Sequence, residues 1–305
     1  MAHTHKVNPV TGVESQYDVS LNNSNSNGSH DNWGGWFWTN DYAKGGGGND
    51  TLRGGWGHDW LEGGNGADQL YGNEGKDVLF GNSGNDTLVG YDGDGVEKDY
   101  LFGGAHRDVL KGDRLDHLDG GTGNDTLWGG GKAYGGDGDD RFMNPLGLAD
   151  GGDGTDTVDL SRFEYGTLHP VDAQGNTVGQ TIDLNNANKF RSIENVVGSR
   201  YDDTIRGNGQ ANVIDGGRGN DTMTGGSGAD TFVIGANSGR DTITDFSING
   251  GDRIDLSATG IDTYAEFRAA ATNVNGNVVV DLGDGNQLTL NGVTEQAFTG
   301  NDFIF

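Results

Sequence analysis

Cysteine is absent from the 305 residues, so the chain has no disulfide, no thiolate metal ligand and no cysteine nucleophile. Proline is nearly missing, at 3 residues. Cations are scarce too: 19 Lys and Arg stand against 46 Asp and Glu, a net charge of −27. A chain this acidic lacks the clustered Lys and Arg that displace counterions from nucleic acid. It also lacks the basic segments that dock on anionic lipid. No window approaches the run of about 18 apolar residues that a membrane-spanning helix needs. The opening residues, Met1-Ala2-His3-Thr4-His5-Lys6, lead into polar sequence and do not read as a secretory signal peptide. Apolar residues make up only 32%, too few to fill an ordinary core for this length.

What the chain has instead is glycine, 59 residues of it. High charge, high glycine and few aliphatics usually describe disorder. The near-absence of proline, with 6 Trp, 9 Tyr and 12 Phe, argues for a folded chain. Its folding free energy must then come from something besides apolar burial. For so acidic a chain, a multivalent cation is the first candidate.

The glycines are periodic. From Gly45 the sequence reads GGGGNDTLR, GGWGHDWLE, GGNGADQLY, GNEGKDVLF, GNSGNDTLV, five consecutive units of the form G-[GN]-x-G-x-D-x-U-x with U apolar. Asp50, Asp59, Asp68, Asp77 and Asp86 fall nine residues apart, as do Leu52, Leu61, Leu70, Leu79 and Leu88. A flexible acidic linker would not keep both series in register. The pattern then loosens. Gly90–Phe102 carries four extra residues, Gly103–Lys111 has His106 in place of the fourth glycine, and Gly112–Asp119 is degenerate. Regular units return at Gly120, Gly135 and Gly151, and again at Gly216 and Gly225.

Each x-U-x piece is a minimal strand with its central side chain inward. Each G-G-x-G-x-D piece reverses the chain, its glycines permitting positive φ and close backbone approach. Two units make one turn of a parallel β-helix, so Asp50, Asp68 and Asp86 stack along one edge and Asp59 and Asp77 along the other. Carboxylates stacked at about 4.8 Å repel unless a cation lies between them. Carboxylate and carbonyl oxygens together select Ca²⁺ over zinc or copper. The expected fold is all-β, a parallel β-roll (right-handed β-helix) of nine-residue repeats with a strand-rich C-terminal cap.

These units resemble the nonapeptide repeats of the RTX exoprotein family, over about residues 45–159 and 198–305. The resemblance implies several Ca²⁺ ions held between aspartates of loops two units apart, with main-chain carbonyls completing the shell. Position by position, it implies Asp50, Asp59, Asp68, Asp77, Asp86, Asp108, Asp125, Asp140, Asp156, Asp221 and Asp230 as metal ligands. Asp99 and Asp203, in irregular units, are added to that set. Asn212 stands at an Asp position and weakens its half-site. The arrangement is similar to the calcium modules of mannuronan C-5-epimerases and serralysins.

Around the repeats, five segments are expected: an aromatic N-terminal cap segment (1–44), a first roll (45–159), a strand-rich connection (160–197), a second short roll (198–234) and a C-terminal β cap (235–305). The connection has strand-like runs at Thr181–Leu184 and Ile193–Val197, and its His169 reads as a surface histidine. In the cap, Asp241–Phe246 and Asp252–Ser257 read as strands and Thr263–Ala271 as a short helix. Asn277–Leu282 and Gln287–Val293 read as a hairpin. The terminal Asp302-Phe303-Ile304-Phe305 resembles the uncleaved C-terminal signal of type I secreted RTX proteins, which implies export by a type I apparatus and an extracellular or cell-surface location. The other reading is a last strand paired with the hairpin, and both can hold.

No catalytic motif emerges. H-E-x-x-H is missing, the nearest match to G-x-S-x-G (Gly225–Ala229) lies inside a repeat, and G-x-G-x-x-G matches follow from composition. Residues 1–44 are too few to build a separate core. The expectation is a non-catalytic binding or structural exoprotein; the alternative is an accessory module of, or a small enzyme acting on, an extracellular polysaccharide. Trp33, Trp36, Phe37, Trp38 and Tyr42 would plug the open first turn or form a sugar platform. Trp60, Phe80, Tyr100 and Phe102 flank inward leucines on one sheet, and such an outward apolar patch marks a contact surface. They are the expected partner-binding residues, for a polysaccharide or for the N-terminal segment.

Overall fold

A computed structural model describes residues 40–90, 95–162 and 179–305, and before residue 40 the backbone of four strands, Thr4–Val7, Glu14–Tyr17, Val19–Asn25 and Asn32–Gly34. Trp36, Phe37, Trp38 and His169 lie outside the described residues, as does the side chain of Trp33. The chain is nearly all β and coils as a parallel solenoid, in two compact units, Met1–Asp156 and Thr157–Phe305.

In the first unit, successive strands alternate between two parallel sheets. Thr51–Trp56, Gln69–Glu74, Thr87–Val89, Val109–Lys111, Thr126–Trp128 and Arg141–Met143 form one. Asp41–Gly47, Trp60–Asn65, Val78–Ser83, Tyr100–Ala105, His117–Thr122, Lys132–Asp137 and Leu148–Asp153 form the other. Register follows the repeat: Leu52 pairs with Leu70, Leu70 with Leu88 and Leu88 with Leu110, so the apolar position of every unit points inward. Leu61, Leu70, Leu79, Leu88, Leu101, Leu110 and Leu118 are fully buried. Where one sheet supplies only Ala133 and Ala149, the other supplies Phe142, which keeps the narrow core filled.

Between strands the backbone of one turn rests on that of the turn before. Gly84 has φ +139°, and a Cβ there would collide with the carbonyl of Gly66. The second loop position is left-handed even when it is not glycine, as at Asn73 (φ 65°) and Asn82 (φ 74°). His106 keeps the left-handed conformation of the fourth glycine it replaces, at φ 83°.

The second unit continues the pattern with less regular sequence. Thr157–Asp159, Asn195–Val197, Val213–Asp215, Thr231–Val233 and Arg253–Asp255 pair in parallel, as do Thr181–Asp183, Thr204–Arg206, Thr222–Thr224 and Arg240–Ile243. The strands expected in a connection between rolls are therefore rungs of the coil, with Ile182 and Val196 in its core. A helix, Tyr264–Ala270, starts at Thr263, whose hydroxyl accepts the Glu266 N–H, and buries Phe267 against Phe298 and Phe303. The expected hairpin is present as Asn277–Gly283 and Asn286–Leu290. The last strand, Phe303–Ile304, pairs with Arg253–Asp255 and not with the hairpin, because Phe303 is drawn into the aromatic cluster around Phe267.

Candidate functional site

The sixth position of each repeat ends a loop and faces inward, and it brings one carboxylate per turn onto each edge of the coil. These carboxylates are linked in series. On one edge of the first unit the backbone N–H of Asp50 donates to Asp68 Oδ1, Asp68 to Asp86, Asp86 to Asp108, Asp108 to Asp125, Asp125 to Asp140 and Asp140 to Asp156, at 2.7–2.8 Å. On the other edge the series is Asp41, Asp59, Asp77, Asp99 and Asp116, at 2.7–2.9 Å. The second unit has two shorter series, Asp203–Asp221–Asp241 and Asn212–Asp230–Asp252. The two-edge arrangement expected from the nine-residue period is the one observed.

One carboxylate oxygen is thus satisfied. The other is not. Among the described residues, Oδ2 of Asp59, Asp68, Asp77, Asp86, Asp108, Asp125, Asp140, Asp221 and Asp230 is buried without a hydrogen-bond partner. It lies over the first glycine of its own repeat, and at Asp59, Asp86, Asp108, Asp125 and Asp140 a main-chain carbonyl of the next turn also arrives. A Cβ on Gly103 would lie 2.5 Å from Asp108 Oδ2 and 2.6 Å from the Gly120 carbonyl. The same convergence pairs Asp59 with Gly72, Asp86 with Gly103, Asp125 with Gly135 and Asp140 with Gly151. Two acceptor oxygens meeting with no proton between them form a cradle for a cation.

The electrostatics agree. Burial, only partly offset by the hydrogen bond from the preceding turn, pushes the Asp59, Asp108 and Asp221 carboxyls from 3.8 up to about 8. Asp140 rises to about 7, and Asp68, Asp86 and Asp125 to about 6, for the same first cause. Asp77 also rises, by burial and by the charges of Asp99 and Asp59. Without a counter-charge these groups resist ionisation. Among the described residues no three His, Asp or Glu side chains converge. An ion here would take one carboxylate per turn together with carbonyl oxygens, the hard donor set that suits Ca²⁺.

A second series, which the sequence reading missed, runs outside the first. At the fifth position Asn49 Oδ1 accepts the Ala67 N–H (2.9 Å), His58 Nδ1 the Lys76 N–H (2.8 Å) and Asn124 Oδ1 the Asp139 N–H (3.1 Å). Here the later turn donates to the earlier one, opposite to the inner series. The recurrent Asn-Asp pairs of the repeats are its trace in the sequence.

The expected partner-binding residues are together but not open. Trp60 and Tyr100 are buried with Tyr42 and Val78, and Phe80 and Phe102 pack against them. Phe80 and Phe102 stack with centroids 4.9 Å apart and planes 10° apart, and Trp60 lies 5.2 Å from Phe80. Phe80 and Phe102 thus each spend a face on the other. The row continues through His117 to Tyr134, with ring centroids 5.1 Å apart, and serves as an outer seam across the strands.

Sequence comparison matches this geometry to a known pattern. The family model for the RTX calcium-binding nonapeptide repeat fits residues 37–70, 62–97, 71–110, 112–131 and 197–232. RTX calcium-binding nonapeptide repeats are thus present over these residues. The repeats are turns of the coil described above, and repeats of this kind imply calcium binding. Among curated proteins no match is found. Among solved structures, the extracellular lipase LipA from Serratia marcescens is similar at 16% identity and a TM-score of 0.35. That likeness covers 85% of this chain and 40% of the lipase, so the chain spans well under half of its length. No helix among the described residues is long and apolar enough to cross a membrane.

Proposed function

We propose that this RTX chain is a secreted protein that folds as it binds calcium outside the cell and acts there as a non-catalytic binding or structural module. The observation that carries the reading is the row of buried carboxylate oxygens without a donor, five of them meeting a main-chain carbonyl at the first glycine of the repeat. Bound Ca²⁺ would neutralise these oxygens and bridge successive turns. Asp59, Asp68, Asp77, Asp86, Asp108, Asp125, Asp140, Asp221 and Asp230 would hold it, with the glycine carbonyls. With few apolar residues, much of the binding free energy would then be folding free energy.

Export through a type I channel fits the same logic, because a chain that needs calcium stays unfolded where calcium is scarce. Asp302-Phe303-Ile304-Phe305 is proposed as part of the export signal, and deletion of Thr263–Phe305 should trap the protein inside cells carrying such a channel. The central test is a calcium titration of the full chain followed by circular dichroism and equilibrium dialysis. The reading expects cooperative gain of β-structure with several ions bound at millimolar calcium. A chain that binds no calcium, or keeps full β-structure in excess chelator, would overturn it.

A further inference from the structure

The carboxylate edges are not uniform. Asp116, Asp203, Asn212 and Asp252 occupy the same buried edge positions as the ligand aspartates, yet the second oxygen of each aspartate, and the single side-chain oxygen of Asn212, already accepts a loop N–H. Asp116 Oδ2 accepts the Asp113 N–H (2.7 Å) and Asp203 Oδ2 the Ser199 N–H (2.6 Å). Asp252 Oδ2 accepts the Ser247 N–H (2.8 Å). Asn212 Oδ1 accepts the Asn208 N–H (2.9 Å), while its Nδ2 donates to the Glu194 carbonyl (2.8 Å).

The cause is in the loop backbone. In the regular repeats the second loop residue is left-handed, as at Gly104 (φ 112°) or Asn82 (φ 74°), and no N–H returns to the carboxylate. Asp113, Ser199 and Asn208 hold that second position outside the left-handed region, and each turns its own N–H onto the side chain that closes its loop. Ser247, with φ −119°, does the same from one residue earlier. An amide proton thus stands where the regular rungs have only oxygen. A cation there would have to approach an oxygen whose lone pair faces a fixed donor, and at Asn212 no carboxylate charge would repay it.

We propose that calcium is confined to the open rungs and that Asp116, Asp203, Asn212 and Asp252 take none. The corollary concerns the second unit, where three of these sealed rungs lie: their turns keep their structure when calcium is removed and provide the folded start from which open rungs assemble. This rests on the calcium-dependent reading above and removes Asp203 from the expected ligand set.

The test uses the full chain and measures bound calcium by equilibrium dialysis at saturating free Ca²⁺, with circular dichroism as the check on folding. Asp108→Asn, at an open rung, should lower the calcium bound per chain. Asp203→Asn should leave it unchanged, and Asn212→Asp should add none. A loss with Asp203→Asn in a folded chain, or a gain with Asn212→Asp, would overturn the assignment. Should Asp203→Asn not fold, amide hydrogen exchange on the unsubstituted chain in chelator decides. Peptides over Val196–Ile214 and Ile254 should exchange about tenfold or more slowly than peptides over Leu61–Leu110. Equal exchange in both regions would sink the corollary. No calcium bound by any variant or by the unsubstituted chain would instead defeat the functional reading itself.

Discussion

The two units of this protein coil in the same way and are held by different means. In the first, loops with a left-handed second residue leave seven carboxylate oxygens buried with no donor among the described residues, from Asp59 to Asp140. In the second, among the described residues, Asp221 and Asp230 are left so, while Asp203, Asn212 and Asp252 are closed by loop amides. The cores differ in the same direction. Leucine columns with little volume serve the first unit, whereas Phe232, Phe246, Phe267, Phe298 and Phe303 gather in the second. The loops with open carboxylates are the more uniform in sequence, and the loops closed by amides the less so.

Removing calcium is the strongest way to separate the units. In chelator at neutral pH the first unit should lose its β-structure, seen as loss of the β signal in circular dichroism and expansion in small-angle scattering. Unaltered compactness of residues 41–153 would break the comparison. Next in size is backbone crowding. Gly84→Ala puts a methyl group against the Gly66 carbonyl at a left-handed position, whereas Gly235→Ala faces open space. The first should cost about 3 kcal/mol or more in denaturant unfolding of the calcium form, and the second should be near neutral. Leu101→Ala, which empties a fully buried site, should cost about 2–5 kcal/mol by the same measurement.

Acidity should narrow the gap between the units. The raised carboxyls, such as Asp59 and Asp108 at about 8 against an ordinary 3.8, bind protons more tightly folded than unfolded. Metal-free stability should therefore rise as the pH falls from about 8, and the gain should be complete below about 4. The first unit, with more open rungs, should gain most. A metal-free chain whose thermal midpoint drops steadily over that range would contradict the sign. Smallest is the outer seam: Phe80→Ala should remove ring contacts with Trp60 and Phe102 worth about 0.5–1.5 kcal/mol beyond lost area, without changing bound calcium.

Much of this was legible in the sequence because a nine-residue period fixes both register and edge. The inward column through Leu52, Leu70 and Leu88 and the split of Asp50 and Asp59 onto opposite edges follow from counting alone. The sealed rungs were harder to read. Asn73 and Asn208 are the same residue at the same loop position, and only Asn73 is left-handed. Their loops differ at the fourth position, where Gly75 follows one and Gln210 the other, and that pairing was the missed signal. The aromatic row was legible in part. Sequence order showed that Phe80 and Phe102 face outward in register, but not that their rings would lie flat against each other.

The steps between linked carboxylates are uneven: 18 residues from Asp68 to Asp86, 22 to Asp108, 17 to Asp125, 15 to Asp140 and 16 to Asp156. The hydrogen bond is nonetheless the same at every step. The edge therefore keeps its place by turn number and is indifferent to chain length. Residues can be gained or lost along the rest of a turn, as in the longer stretch between Gly90 and Asp99, and the line of oxygens passes by without a break. For evolution, such an edge is a spine onto which loops of different length can be grafted singly, each new one leaving the ion sites on either side intact.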